Sequence, residues 1–161
     1  MPALQEFFDA QAFVDATGGS GALLGLDPGT KTIGVAISDV DWRLASPLTT
    51  IHRSKFQRDV GALIEIIEKE GVRGLVIGMP FNMDWSLGPR AQSVRAFRRG
   101  LGDHIDLPML FWDERLSSEA AADSLRDAGV SNRQREATID AVAAAHILSD
   151  CLPKLRSLTN R

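Results

Sequence analysis

The sequence predicts a single α/β domain in which a mixed five-stranded sheet lies between helices. Three observations predict it. A chain of 161 residues is long enough for one sheet covered by helices and too short for two full cores. Its longest apolar runs are strand-sized, and beyond roughly the first third of the chain they alternate with stretches of helical period. The strands crowd together early and are separated by helices later. That order, βββαβαβαα, extends an antiparallel meander with strands delivered by helical crossovers and so parallel to the first.

Residues 3–16 (ALQEFFDAQAFVDA) are predicted to form an amphipathic helix that docks Phe7, Phe8 and Phe13, followed by the linker TGGSG. Residues 1–20 are therefore read as an acidic extension ahead of a domain over 21–156. The extension lacks the basic start and apolar run of a secretory signal and the Arg-rich character of a transit peptide. The domain opens with the strand ALLGLD, the turn PGT and the strand TIGVAISD, and a third strand is placed at LASPLTTI. Between Lys55 and Glu70, Val60, Leu63, Ile64 and Ile67 recur at helical spacing, and RGLVIGMP is a buried strand ending at a Gly-Met-Pro turn. A helix from about Arg90 to Leu101 leads into the strand PMLFWDE. Ser117 and Ser118, with Glu119 behind them, start a helix that Gly129 ends. The last helix, from about Glu136 to Leu152, sets Ile139, Val142, Ala143, Ile147 and Leu148 at core-facing spacing.

With 44% hydrophobic and 24% charged residues, the composition is that of an ordinary soluble domain, and no apolar run is long enough to span a bilayer. The one cysteine, Cys151, has no partner for an internal disulfide and no His or Cys at metal-ligand spacing, so a reducing cytoplasm is expected. It is read as a small apolar residue of the last helix rather than a nucleophile. A formal charge of −3 argues at first against a polyanionic partner. Glu6, Asp9 and Asp15, however, all lie in the extension, which has no basic residue, and the remainder holds 18 groups of each sign. From Trp85 to Gly102 stand Arg90, Arg95, Arg98 and Arg99 with no acid, a positive patch that is either a solvated helix face or a nucleic-acid contact.

Acids at the ends of buried strands are costly unless paired, hydrogen-bonded or bound to a metal. Asp27 follows Leu23, Leu24 and Leu26, and Asp113 and Glu114 follow Met109, Leu110, Phe111 and Trp112. Parallel strands would deliver these carboxylates to the same edge of the sheet, where ligands gather in open α/β folds. Asp140 lies in the first turns of an apolar helix beside Ala141, Ala143 and Ala144, small enough to let that helix approach the sheet. Oxygen ligands without histidine or cysteine suit Mg²⁺ or Mn²⁺ rather than zinc. Two such ions about 4 Å apart can activate a water and stabilise a leaving oxygen in phosphodiester cleavage. The bland alternatives are that Asp113 pairs with Arg115 or Lys31 and that Asp140 is a helix-start acid favoured by the macrodipole. Because adjacent strand residues point to opposite faces, Asp113 and Glu114 are not both expected to ligate one ion unless the strand has ended. The sequence does not choose between them, and Glu114 is taken as the ligand with Asp113 near the site or directed to a neighbouring basic group.

In Asp27-Pro28-Gly29-Thr30-Lys31, Gly29 permits a positive φ, the backbone amides can face an anion and Lys31 offers a charge to a phosphate. Alone, a D-x-G-T turn also matches the first phosphate loop of the actin and sugar-kinase superfamily. Such proteins repeat the fold in two domains, for which this chain has neither the length nor a second glycine-rich loop. Four segments in order, LLGLDPGTKTIGVAIS, VIGMPFNMDWSLGPRA, DERLSSEAA and IDAVAAAHIL, resemble the YqgF (RuvX) family, whose members are described as pre-16S rRNA nucleases and formerly as Holliday junction resolvases. The resemblance runs from about Leu23 to Leu152.

The resemblance implies an RNase H-like fold and a metal-dependent nuclease acting on structured RNA, with maturation of the 16S rRNA 5′ end as its role. Branched DNA is the alternative substrate, and a non-catalytic RNA-binding assembly factor a further one. It carries the catalytic acids onto Asp27, Asp113, Glu114 and Asp140, with Asp27, Glu114 and Asp140 as ligands of Mg²⁺ or Mn²⁺, two ions being expected. Gly29, Thr30 and Lys31 match the first turn; Gly78, Pro80, Asn82 and Asp84 match the second loop. Trp85 departs from the glycine usual in relatives and either packs or stacks on a base. Lys31, Asn82, Arg90, Arg95, Arg98, Arg99 and Arg115 become the expected nucleic-acid contacts. No membrane partner is expected, and the chain is expected to be a monomer or weak homodimer.

Overall fold

In this computed structural model, residues 9–80, 88–113 and 132–159 are described. Helix α1 (Ala10–Thr17) precedes strands β1 (Leu23–Pro28), β2 (Thr32–Ser38) and β3 (Ala45–His52). Helix α2 (Phe56–Glu70), strand β4 (Gly74–Met79), helix α3 (Pro89–Gly102), strand β5 (Met109–Asp113) and helix α4 (Asn132–Ser157) complete it. The helix expected between Ser117 and Gly129 lies outside the described residues, as do Phe7 and Phe8 of the first helix.

The five strands form one sheet in the order β3-β2-β1-β4-β5. The early strands pair antiparallel, β1 with β2 and β2 with β3, while β4 pairs parallel to β1 and β5 parallel to β4. This is the mixed sheet that the closely spaced and helix-linked strands predict. Every residue of β1 and β4 is buried, which is why both read as unbroken apolar runs rather than as alternating patterns.

Alternation along each strand sorts the core into two layers. Leu24 and Leu26 of β1, Ile33 and Val35 of β2, Ile77 and Phe111 pack with α2 and α3 through Val60, Leu63, Val94 and Phe97. Leu23, Ala36, Val76 and Leu110 pack on the other face with Phe13 and Val14 of α1 and with Ala144, Ile147, Leu148, Cys151 and Leu155 of α4. The described part of the acidic extension is therefore folded against the core. Asp9 caps α1, its carboxylate accepting the Ala12 N–H at 3.0 Å.

Helix α4 runs further than the apolar spacing predicts, beyond Leu152 and through Pro153 to Ser157. Proline removes one intrahelical N–H and strains the preceding turn. Burial of Leu155 and the packing of Leu158 against the same layer hold the extra turn in place. Between β2 and β3 the chain turns around Trp42, which is buried at φ 60° with its Nε1 donating to the Gly21 carbonyl at 2.7 Å.

Candidate metal and nucleic-acid site

Strand β1 carries Asp27 to the edge of the sheet where the β1–β2 turn begins. Its direction follows from its neighbours. A Cβ on Gly25 would lie 2.9 Å from the Leu148 Cβ and 3.0 Å from the Ala144 carbonyl oxygen, so this face of β1 meets α4. Asp27, two residues on, shares that face. Its register partner is Gly34 of β2. A Cβ on Gly34 would overlap the carbonyl of Asp140, so the first half of α4 rests directly on the backbone beside Asp27. The small residues that the sequence places around Asp140 let this happen: Ala141, Ala143 and Ala144 are all buried.

Thr32 fixes the second acid. Its hydroxyl donates to Asp140 Oδ2 at 2.5 Å, a short, charge-assisted bond that orients the carboxylate. Asp27 is only 7% exposed, and among the described residues no hydrogen bond or salt bridge reaches its carboxylate. A carboxylate left without a protein donor at a sheet edge is disposed to take a cation.

The third strand delivers its acids differently. Trp112 lies on the α4 side, its Nε1 donating to Asp150 Oδ2 at 2.9 Å, and Phe111 lies on the α2–α3 side. Continued alternation puts Asp113 on the α2–α3 side, away from the face shared by Asp27 and Asp140. Asp113 also stands level with Met79, one step beyond the row of Gly78 and Trp112. Glu114 lies outside the described residues, together with Asn82, Asp84, Trp85 and Arg115. Among the described residues, no three His, Cys, Asp or Glu side chains form a group that could hold a metal. The fold brings Asp27 and Asp140 to one place, while alternation along β5 assigns Asp113 to the other face.

The turn after Asp27 is built by close approach rather than by an unusual backbone. Gly29 does not adopt the positive φ that its residue type allows. A Cβ there would come within 3.1 Å of the Thr32 carbonyl oxygen, the same oxygen that accepts the Gly29 N–H at 2.8 Å. That amide is therefore spent inside the turn and does not face an anion, contrary to the expectation from the motif. Lys31 is exposed at the turn, and its carbonyl accepts the Arg53 N–H at 2.9 Å.

Arg53 escapes the motif-based reading because nothing in the sequence separates it from any basic residue that follows a strand. Its Nη1 donates to the Gly29 carbonyl at 2.6 Å, its Nε lies 4.0 Å from Asp59 Oδ2, and its guanidinium covers the Phe97 ring at 5.3 Å. Thr32 is likewise missed as a site residue. The available signal was its place two residues before Gly34, on the same face of β2.

The four arginines are spread along α3. Arg90, in the first turn, lines one pocket with Pro28, Gly29 and Thr30. Arg98 is eight residues further along, about 12 Å by helical rise, and burial lowers its pKa. Arg95 reaches Gln92 Oε1 at 3.4 Å, and Arg99 is exposed in the last turn. Cys151 is fully buried, and burial, with the Asp150 charge adding to it, pushes its thiol far above the ordinary range, as befits a core residue.

Comparison with known proteins places this arrangement. The family profile of RuvX, described as Holliday junction resolvase, matches residues 21–154. A protein of Paracoccus denitrificans (strain Pd 1222) named "Putative pre-16S rRNA nuclease" is 50% identical over 150 residues, 93% of this chain and 95% of that protein. One of the same name from Agrobacterium fabrum is 49% identical over 138 residues, 86% of this chain and 87% of the relative. T. thermophilus RuvC, solved in complex with a Holliday junction substrate, superposes with a TM-score of 0.52 at 14% identity, over 83% of this chain and 94% of that one. That likeness is one of fold, and the fold is RNase H-like, as the family resemblance implies. With half-identical relatives of nearly its own length and a profile match across the sheet and α4, the chain belongs to the RuvX family.

Proposed function

We propose that this protein is a metal-dependent nuclease of the cytoplasm that cuts structured RNA, with precursor 16S rRNA processed at its 5′ end as the substrate. The observation that carries the reading is the buried Asp27 carboxylate, which meets no hydrogen bond or salt bridge among the described residues and sits where α4 presents Asp140. The names of the half-identical relatives support the substrate class.

An all-carboxylate donor set fits Mg²⁺ or Mn²⁺. Asp27 and Asp140 would hold the cation, and Glu114 is proposed as the third ligand, a choice supported by the place of Asp113 on the opposite face. What two bound ions supply is charge neutralisation at the phosphate and polarisation of the attacked bond. The protein's own part is positional. Thr32 keeps Asp140 turned toward the site, the bare backbone at Gly34 lets α4 close on it, and Lys31 at the turn offers a positive charge to the flanking backbone. Of the α3 arginines, Arg90 stands nearest this edge, with Arg95, Arg98 and Arg99 as contacts further along the nucleic acid. Asn82 and Arg115 complete the proposed set.

The nuclease domain is proposed to span residues 21–156, acting as a monomer or weak homodimer. A second reading, resolution of four-way DNA junctions, is supported by the family's description. Because a junction is two-fold symmetric, that activity calls for two active sites and hence a dimer. The test is side-by-side cleavage of precursor 16S rRNA and a four-way DNA junction in Mg²⁺ or Mn²⁺. Preferential cutting of the RNA by monomeric protein supports the first reading, and symmetric nicking of the junction by a dimer supports the second. Binding of RNA without cleavage under any metal condition would leave a non-catalytic assembly factor.

A further inference from the structure

A shallow pocket opens on the far side of the turn from the carboxylates, between the turn and α3. Its walls are Pro28, Gly29, Arg53, Arg90 and Ser93, with Phe97 at its base. Pro28 is the residue after Asp27, so strand alternation turns its side chain to the opposite face. The pocket and the Asp27 site are thus two sides of one turn.

Its lining is selective in charge. Arg53 is held by three contacts that leave part of its guanidinium to the pocket: Nη1 on the Gly29 carbonyl, Nε toward Asp59 and the ring of Phe97 beneath it. The nearby acid is already engaged, since Asp59, 3% exposed, also accepts the Ser54 N–H at 3.1 Å. Arg53 has five donors in a rigid fork and keeps its charge at any working pH. Helix α3 starts here, with Pro89 in its first turn and no side chain capping it, so its amide end adds positive potential. The pocket is shallow and opens to solvent, which suits one charged group of a chain lying across it rather than an enclosed ligand.

We propose that this pocket binds a single phosphate of the nucleic-acid backbone, with Arg53 as its principal donor and Arg90 and Ser93 completing it. The inference rests on the nuclease reading and deepens it. The strand being cut is gripped on one side of the Gly29 turn while Asp27 works on the other. Because Arg53 also holds the Gly29 carbonyl, occupancy of the pocket and the position of the turn are coupled.

The test is equilibrium binding of a fluorescent structured RNA in chelator, so that no cleavage occurs, across a series of KCl concentrations. Arg53→Gln is expected to weaken binding about tenfold and to flatten the salt dependence by the share of about one phosphate, roughly 0.7–0.9 in the log–log slope. Ser93→Glu, at an exposed position, sets a carboxylate in the pocket without touching the core and is expected to weaken binding to a similar degree. Ser157→Glu, which adds the same charge at the exposed end of α4, is expected to stay within about twofold of wild type. Wild-type affinity and an unchanged slope in both Arg53→Gln and Ser93→Glu would overturn the pocket while leaving the nuclease reading intact. A wild-type protein that binds neither RNA nor junction DNA would overturn both.

Discussion

Asp27 and Asp39 are two acids with opposite circumstances. Asp27 is buried and meets no hydrogen-bond donor among the described residues. Asp27→Asn is therefore expected to abolish cleavage and, in chelator, to leave the unfolding free energy within about 1 kcal/mol of wild type. Divalent cation should raise the melting temperature of the wild type and not of this variant. A wild type whose melting temperature does not respond to divalent cation would contradict the account of the Asp27 carboxylate. Asp39 is exposed and satisfied. Burial pushes its pKa up slightly, but the backbone N–H groups of Leu44, Arg43 and Asp41 outweigh this and hold it below the ordinary carboxylate value. A depressed folded pKa gives stability that is complete above the unfolded value near 3.9 and is lost as pH falls through the folded one. Thermal melts of wild type and Asp39→Asn should differ by a constant amount from pH 7 to about 4 and converge below it. At this scale Asp27 was legible in the sequence because an acid ending an apolar run is conspicuous. Arg53 was not, because its role comes from the turn, Asp59 and Phe97 meeting in space.

Between elements, the decisive contact is α4 on β2. Gly34→Ala puts a methyl group against the Asp140 carbonyl, and backbone on both sides cannot give. The expected cost is about 2–3 kcal/mol by chemical denaturation, with cleavage lost as well because α4 lifts away from Asp27. A fully active, undestabilised Gly34→Ala protein would break the link between this packing and the site. Beyond Pro153 the expectation concerns stability alone. Leu155→Ala should cost about 2–4 kcal/mol if the turn after the proline is anchored as described, against near zero for a frayed end. The alanines of α4 told of a close approach in advance. What the sequence could not give was the end of α4, where a local rule about proline yielded to the burial of Leu155. Nor could it show how Gly29 serves its turn, since a glycine required for close approach and one required for positive φ look alike.

Across the whole molecule, two layers of helix on a mixed sheet were foreseeable because the spacing of strands separates hairpin from crossover connections. The packing of α4 across β1 and β2 is what turns Asp27 and Asp140, remote in sequence, into neighbours of one turn. Charge was harder to read. The arginines of α3 form one run in sequence but are spread along a helix, and of the four Arg90 lines the pocket beside Gly29. The central claim is that the Asp27 carboxylate works through a divalent cation to cut RNA. Its most direct measurement is the cleavage rate of precursor 16S rRNA by wild type and Asp27→Asn, each in Mg²⁺, in Mn²⁺ and in chelator. Cutting by the wild type only with metal, and a loss of at least about a thousandfold in Asp27→Asn with either ion, is the expected result. Equal rates for the two proteins, or wild-type cutting that persists in chelator, would contradict it.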